Sequence, residues 1–197
     1  IPEGVSRIKA HTFENCKNLR AVKLPESLRD LEVGAFGMCE NLEKINFPQS
    51  LESEYDSFYG CPRKIIDSIP YTLKCDKDGV FTRFGYEDLD GEVLRIPKGV
   101  KRIARLNYDE NRLLNLLNRH GRSNFIKEIE LPDGLLAIDD DVISNGYRYG
   151  ATLDFGKIER IIMPDSVIKL GVGNFQKLNY LKQVRLSRNL ESLDISV

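Results

Sequence analysis

The sequence lacks a strong charge of either sign. It contains 29 lysine and arginine residues against 30 aspartate and glutamate residues, so the formal net charge is -1 over 197 residues. A chain so close to neutral has no overall field to attract nucleic acid or an anionic membrane. It also lacks any apolar run of about 18 residues, the minimum for a membrane-spanning helix. We therefore expect no nucleic-acid partner and no membrane insertion.

Catalytic signatures are scarce as well. The chain has two histidines, His11 and His120, and no C-x-x-C, Walker, G-x-G-x-x-G or H-E-x-x-H motif. These absences favour a protein without catalytic residues, metal or cofactor. A cysteine enzyme that pairs Cys75 with His120 remains an alternative, although nothing in the sequence brings the two residues together.

What the chain does contain is a repeat, marked by an apolar residue followed by proline. The pairs are Ile1-Pro2, Leu24-Pro25, Phe47-Pro48, Ile96-Pro97, Leu131-Pro132 and Met163-Pro164. The first three pairs are evenly spaced, and a fixed period in the twenties indicates a solenoid. The last two spacings, from Ile96 to Leu131 and from Leu131 to Met163, are longer. They predict insertions over 104–125 and 139–157.

Each repeat carries the signature of a short strand. In Leu19-x-x-Val22-x-Leu24-Pro25, Val22 and Leu24 are separated by a single residue, as on a strand with one buried face. Proline then ends the strand because it has no N–H to donate. Successive strands are expected to stack in parallel and to form one narrow sheet on one side of the coil.

The opposite side is predicted to hold short helical turns. Apolar residues recur there at a spacing of three, as in Val5-x-x-Ile8 and Ala10-x-x-Phe13-x-x-Cys16. The fold class is therefore α/β, with parallel strands on one face and helical turns opposite. Four phenylalanines are expected to form an inner row: Phe13, Phe36, Phe58 and Phe175.

The repeat becomes irregular in the middle of the chain. Asp78-Gly79 and Asp90-Gly91 are hairpin signals between apolar segments at 71–73, 80–84 and 93–96. We predict regular repeats over 1–69, a hairpin-like linker over 70–95, and repeats with insertions over 96–197, all within one continuous solenoid. Glu54 takes the place of an inward leucine, so its coil is expected to be distorted.

The two insertions differ in character. The first reads as a helix that begins at Asn107 or Asp109 and ends before Gly121. The second, around Tyr147, reads as a loop. Extra residues in repeat proteins collect on one face, which is often where partners bind.

The chain starts and stops inside a repeat, at Ile1-Pro2 and at residues 193–197. We expect a mature or trimmed piece of a longer protein. A solenoid with these ends would have uncovered sheet edges, so we expect a monomer or end-to-end association.

These residues resemble the BspA-type leucine-rich repeats, whose unit runs I-P-x-x-V-x-x-I-G-x-x-A-F-x-x-C-x-x-L-x-x-[IV]-x. Residues 1–46 follow it nearly position by position, and residues 78–97 look like the hairpin with which such proteins restart a run of repeats. The resemblance implies a leucine-rich-repeat solenoid in a secreted or cell-surface protein that acts in adhesion or protein interaction. It brings no catalytic residues with it.

Three of the four cysteines are interpreted as small buried hydrophobic residues. Cys16, Cys39 and Cys61 each follow a phenylalanine by three positions, and Leu178 occupies the same place after Phe175. Cys75 lies outside this pattern and is the thiol expected to react most readily. The acidic pairs Asp76 and Asp78, Asp88 and Asp90, and the run at 139–141 lack the spacing of a calcium loop and are interpreted as turns.

Partner-binding residues are expected where side chains project outward from the strands or the second insertion. The candidates are Lys23, Asn46, Glu130, Arg160, Arg185, Tyr147, Arg148 and Tyr149. Tyrosine and arginine are frequent interface anchors. Two other interpretations stay open: the mixed row of charges is only a solvated face, or the domain is a rigid spacer in a larger surface protein.

Overall fold

A computed structural model describes residues 1–52, 56–76, 78–107, 126–144 and 157–193. They form two compact units, Ile1–Lys74 and Cys75–Val197. The distorted coil predicted at Glu54, the helix predicted from Asn107 or Asp109 onward and the loop with Tyr147, Arg148 and Tyr149 lie largely outside the described residues. That the whole chain forms one continuous solenoid stays a prediction.

The first unit is built from two pairs of parallel strands. Their bounds are β1 Arg7–Ile8, β2 Ala21–Val22, β3 Asp30–Leu31 and β4 Lys44–Ile45. Strand β1 pairs with β3 and β2 pairs with β4, and every residue faces its equivalent in the next repeat, as Arg7 faces Asp30. The register therefore confirms the predicted parallel pairing of successive repeats.

The second unit holds two larger sheets. The four-stranded sheet consists of β5 Val80–Arg83, β8 Arg102–Asn107, β10 Ala137–Ile138 and β12 Lys169–Leu170. The five-stranded sheet consists of β6 Leu89–Asp90, β7 Val93–Arg95, β9 Glu128–Glu130, β11 Arg160–Ile162 and β13 Gln183–Arg185. Its order is β13-β11-β9-β7-β6, and all pairs except β6-β7 are parallel.

Among the described residues each unit thus has two sheets, and the expected single sheet is wrong. The apolar pair interpreted as a helical turn contributes a second strand, as at Ile8 and Leu31, which lie opposite each other in β1 and β3. Ile8 is buried and Arg7 is exposed, which is the alternation of a strand. Because the repeats have equal lengths, the backbone N–H and C=O groups of neighbouring coils lie in register. These groups therefore form hydrogen bonds between coils.

Besides its two sheets, the first unit has a side that consists of turns. The N–H of Thr12 donates to the carbonyl of Lys9 and that of Cys16 to the carbonyl of Phe13, each three positions back. The N–H of Phe13 instead donates to Ala35 in the next coil at 2.8 Å. Hydrogen bonds therefore join the coils on this side too. The α-helix α1, Arg63–Ile66, also lies in this unit.

The middle segment matches the hairpin prediction only in part. Asp90-Gly91 does connect the antiparallel strands β6 and β7, with Gly91 at a φ of 63°. Residues Tyr71–Leu73 form a 3-10 turn and no strand, because Pro70 directs the chain into a turn closed by a bond from Leu73 N–H to the Pro70 carbonyl. Strand β5 pairs in parallel with β8, so it belongs to the second unit's sheet.

Phenylalanine rings stack through the first unit. The centroids of Phe13 and Phe36 are 5.2 Å apart and those of Phe36 and Phe58 are 5.4 Å apart, with nearly parallel planes. This confirms three members of the predicted inner row. Phe175 is not in this stack: it lies in the second unit, half-buried, with a left-handed backbone at a φ of 72°.

Candidate interaction surface

The exposed side of the five-stranded sheet brings together three of the predicted partner-binding residues. Glu130, Arg160 and Arg185 all project from it and are exposed. We call the outward residues of β7, β9, β11 and β13 the outer face. They form two rows that run across the coils: Val93, Glu128, Arg160 and Gln183, and Arg95, Glu130, Ile162 and Arg185.

Ion pairs connect the charged side chains of the outer face to residues of the neighbouring repeat. Arg160 pairs with Glu128, and Arg95 pairs with Glu130. Arg185 reaches Asp165 at 3.0 Å. Opposite charges that face each other across strands stabilise a sheet modestly, and exposed pairs exchange easily with solvent. The face therefore presents oriented charges that a partner can also reach.

A second charged row lies one residue before the strands, and we call it the charge row. It consists of Glu92, Lys127, Glu159 and Lys182, so its signs alternate along the sheet. Lys127 Nζ lies 2.7 Å from Glu92 Oε2, and Lys182 Nζ lies 2.8 Å from Glu159 Oε2. The hydrogen bond from Lys182 lowers the pKa of Glu159, and the one to Glu92 raises the pKa of Lys127.

Between the outer face and the charge row runs a shallow groove of about 480 Å³. Its lining is mostly charged, with Val93 as its aliphatic member. The sequence predicted outward charges but missed the charge row. Its signal was present in the residue directly before each strand, where the sign changes from one repeat to the next.

The four-stranded sheet carries a larger groove, of about 890 Å³, which the sequence did not predict. Its lining includes the small residues Ala104, Ala137 and Gly171 beside the long side chains of Arg102 and Lys169. Asp139 forms two hydrogen bonds of 2.9 Å with Arg102, which raise the pKa of that guanidinium. Had strands been predicted at Ile103, Ile138 and Leu170, the neighbouring residues that line this groove would have been predicted as well.

In the first unit, Lys23 and Asn46 play different parts. Lys23 is exposed, as predicted. The Asn46 amide is instead engaged by the backbone of the preceding coil: its Oδ1 accepts from Leu24 N–H at 2.8 Å and its Nδ2 donates to the Leu24 carbonyl at 3.0 Å. Asn46 therefore bridges two coils.

All four cysteines, which lie in the described residues, are free thiols. Cys39 and Cys61 are buried, and each donates from Sγ to the carbonyl of a phenylalanine in the coil before: Cys39 to Phe13 at 3.2 Å and Cys61 to Phe36 at 3.1 Å. Burial raises the pKa of Cys39. The sequence predicted the burial of these two thiols and missed the hydrogen bond; Cys16, for which burial was also predicted, is only half-buried.

Cys75 is half-buried, and burial together with the Asp76 carboxylate raises the pKa of its thiol. A raised pKa opposes formation of the thiolate that a nucleophile needs. Its predicted partner His120 lies outside the described residues. Asp76 Oδ1 accepts from the N–H groups of Asp78 and Val80, so this acidic pair closes a turn as predicted.

Parallel strands that pair at one-repeat steps, with an inner phenylalanine stack, define a leucine-rich-repeat protein. The chain belongs to the BspA-type leucine-rich repeat family: the model of the BspA type leucine rich repeat region matches in six copies over residues 1–113 and 121–197. The family assignment confirms the resemblance.

Among solved structures, the chain is similar to a leucine-rich repeat protein from Bacteroides ovatus, with 17% identity and a TM-score of 0.32. The match covers 93% of this chain and 59% of that one, so the chain spans about three fifths of the length of that protein. No curated protein matches the chain. In the described part of the chain, no helix combines the length and apolar character that a membrane crossing requires.

Proposed function

We propose that this chain is a non-enzymatic protein-binding module of a secreted or cell-surface protein, in which the coils of each unit wind as a solenoid and a protein partner rests on the outer face. Membership of the BspA-type family supports an interaction role. The observation that carries the proposal is the outer face itself, where Glu130, Arg160 and Arg185 stand exposed on adjoining parallel strands.

The chemistry of the outer face suits a protein better than a nucleic acid. Both glutamates of the outer face lie on β9, between the arginines of β7 and β11, so a run of phosphates that crosses these strands would meet repulsion at β9. A protein surface can match such a pattern residue by residue. Arginine is enriched at protein interfaces.

Screening the purified chain against extracellular proteins tests the proposal. The variant E130A/R160A removes one charge of each sign from neighbouring strands and leaves the net charge unchanged. We expect it to weaken capture of the partner by about tenfold, as loss of an interface anchor does. The matched control is E26A/R29A, which removes the same two charge types from exposed turns of the first unit.

Equal binding by both variants, or capture of no protein at all, would reject the outer face as the binding site. A partner that depends instead on Tyr147 and Arg148 would assign binding to the second insertion, and Y147A/R148A is the variant that separates the two sites. If the chain is a spacer, a scrambled outer face with an intact core leaves the activity of the parent protein unchanged.

A further inference from the structure

On the four-stranded sheet, an alanine lies where the charges on either side call for an acidic residue. Ala137 of β10 faces Arg102 of β8 on one side and Lys169 of β12 on the other. Since neighbouring strands are about 4.8 Å apart, the backbones of the two basic residues are separated by roughly 10 Å. We call the space over the Ala137 methyl group, between the two basic side chains, the Ala137 site.

The first unit shows what this position holds when the charges are balanced. Arg7 of β1 and Asp30 of β3 face each other as Arg102 and Ala137 do, and they form an ion pair at 3.0 Å. Opposite charges that face each other stabilise a strand pair relative to alanine. The Ala137 site therefore lacks the carboxylate that its equivalent in the first unit supplies.

Lys169 is the basic side chain that a ligand can use. Asp139 already engages Arg102 through two hydrogen bonds of 2.9 Å. Lys169 is exposed and forms no ion pair with any other residue that the structure describes. Because small residues, Ala137 and Gly171, line the groove beside it, a carboxylate from outside can reach the ammonium.

An aliphatic patch borders the Ala137 site. Leu136 and Ile168 stand one position before Ala137 and Lys169, and the N–H of Ile168 donates to the carbonyl of Leu136 at 2.9 Å. Leu136 is 44% exposed, although it lies between two described coils, at Lys101 and Ile168. Burial of this side chain under an apolar group would stabilise a complex.

The surrounding acidic residues restrict the ligand to a single carboxylate. The same groove is lined by Asp139, Asp140 and Glu191. A polyanion such as a sulfated polysaccharide would bring further negative charges against these residues, and like charges repel. A protein segment can instead present one acidic side chain with aliphatic neighbours, which matches both Lys169 and Leu136.

We propose that the Ala137 site binds a protein partner through one glutamate or aspartate, which pairs with Lys169, and through an aliphatic residue that covers Leu136 and Ile168. In an extended segment, side chains two positions apart lie on the same face, so the acidic and aliphatic residues are expected at that spacing. The inference goes beyond the proposed role of the outer face, because it places a second binding site on the other sheet of the same unit.

The missing charge can be tested without a ligand. In A137D the new carboxylate lies between Arg102 and Lys169, whereas A137N adds an uncharged side chain of the same shape. We expect the urea midpoint of A137D to be higher than that of A137N at neutral pH. A midpoint for A137D that is equal to or below that of A137N would show that the site does not favour a carboxylate, and it would overturn the inference.

Binding of short peptides tests the ligand. The probe is a capped peptide containing Leu-Thr-Glu-Thr-Leu, and the matched peptide has glutamine in place of the glutamate. We expect the acidic peptide to bind with a dissociation constant below about 5 mM and the glutamine peptide to bind about three- to fivefold more weakly, as for loss of an exposed ion pair. In K169M the two peptides should bind equally. The control K44M, at an exposed lysine of the first unit, should keep the difference.

Three further measurements locate the site. A137D should weaken binding of the acidic peptide at least about fivefold, because its own carboxylate occupies the site, and A137N should weaken it less. Replacing both leucines of the peptide by serine should also weaken binding about fivefold. The NMR signals of the Leu136, Ala137 and Ile168 methyl groups should shift when the acidic peptide is added.

The inference is overturned if the acidic and glutamine peptides bind the unmodified chain equally, if K169M keeps the difference between them, or if these methyl signals do not shift. Binding of heparin, a sulfated polysaccharide, with the same dependence on Lys169 would also overturn it, since the groove would then accept a polyanion. The variant E130A/R160A should still bind the acidic peptide, and K169M should still capture a partner of the outer face, so failures of the two proposals are distinguishable.

Discussion

Tyr59 donates a hydrogen bond from its phenol to the carboxylate of Glu14, a residue 45 positions earlier. These two residues occupy the same place in their coils, directly after the stacked phenylalanines, and Gly37 holds that place in the coil between them. The Tyr59 side chain thus passes over Gly37 and joins coils that are not neighbours. The other oxygen of Glu14 lies 3.1 Å from His11 Nδ1.

Replacing Tyr59 by phenylalanine should test this connection. The change keeps the buried ring and removes the hydroxyl that bonds Glu14. Hydrogen bonds to charged groups are the stronger ones, but Glu14 is partly exposed and water can replace the lost partner, so we expect a loss of about 1–2 kcal/mol in unfolding free energy. Urea titration measures it. Y180F, at an exposed tyrosine of the second unit, should cost almost nothing; equal effects would mean that the Glu14 bond adds no stability.

Gly37 should tolerate no side chain while Tyr59 is present. A Cβ there would lie 2.6 Å from Tyr59 Cε1, closer than any normal contact, although the backbone of Gly37 does not have a positive φ. We expect G37A to destabilise the fold by roughly 1–3 kcal/mol.

A double-mutant cycle separates the clash from other effects. In a Y59A background the obstacle is gone, and G37A should become neutral or slightly stabilising, because alanine restricts the unfolded chain more than glycine does. If G37A costs the same in both backgrounds, then the Tyr59 ring is not the reason for glycine at this position.

The sequence predicted those parts of the fold that depend on equal repeat lengths. Phe13 and Phe36 are one repeat apart, so coil stacking alone places their rings together, and the parallel register of Val22 with Ile45 follows in the same way. Contacts that skip a coil are different. Nothing in the spacing indicates that Tyr59 reaches Glu14, because this requires the absence of a side chain at Gly37 and a specific rotamer.

The second sheet escaped prediction for a related reason. A spacing of three between Val5 and Ile8 is shared by a helical turn and by a turn followed by a two-residue strand, and two residues are too few for an alternating pattern to be recognised in the sequence. On the candidate surface, the exposure of Arg160 and Arg185 could be read from alternation. The paired state of each charge could not, since it depends on which residue of the next coil stands opposite.

Asn46 should contribute to stability more than to binding. N46A removes both hydrogen bonds to the buried Leu24 and leaves its N–H and C=O without those partners, so we expect a loss of about 1–3 kcal/mol. Thermal or urea unfolding measures it. K44A, on the neighbouring exposed position of β4, should change stability by less than about 0.5 kcal/mol. If the N46A chain is as stable as the unmodified chain but binds a partner more weakly, then Asn46 contacts the partner and this prediction is wrong.

The charge row should be visible in the titration of Glu159. Its carboxyl pKa is held below the ordinary value of 4.5 chiefly by the hydrogen bond from Lys182, with a further contribution from Lys127. A carboxyl with a lowered pKa in the folded state stabilises the fold above the ordinary pKa, and this stabilisation is lost as the pH falls through the lower value. In K182M the Glu159 pKa should therefore rise toward 4.5, and stability should depend less on pH in this acidic range.

Carbon-13 NMR of the carboxyl group follows the titration directly, and high salt should reduce the difference between the two proteins because the pair is exposed. K23M provides the control, since Lys23 lies in the other unit. A Glu159 titration that is the same in K182M as in the unmodified chain would show that alternating charges along the row do not act on each other.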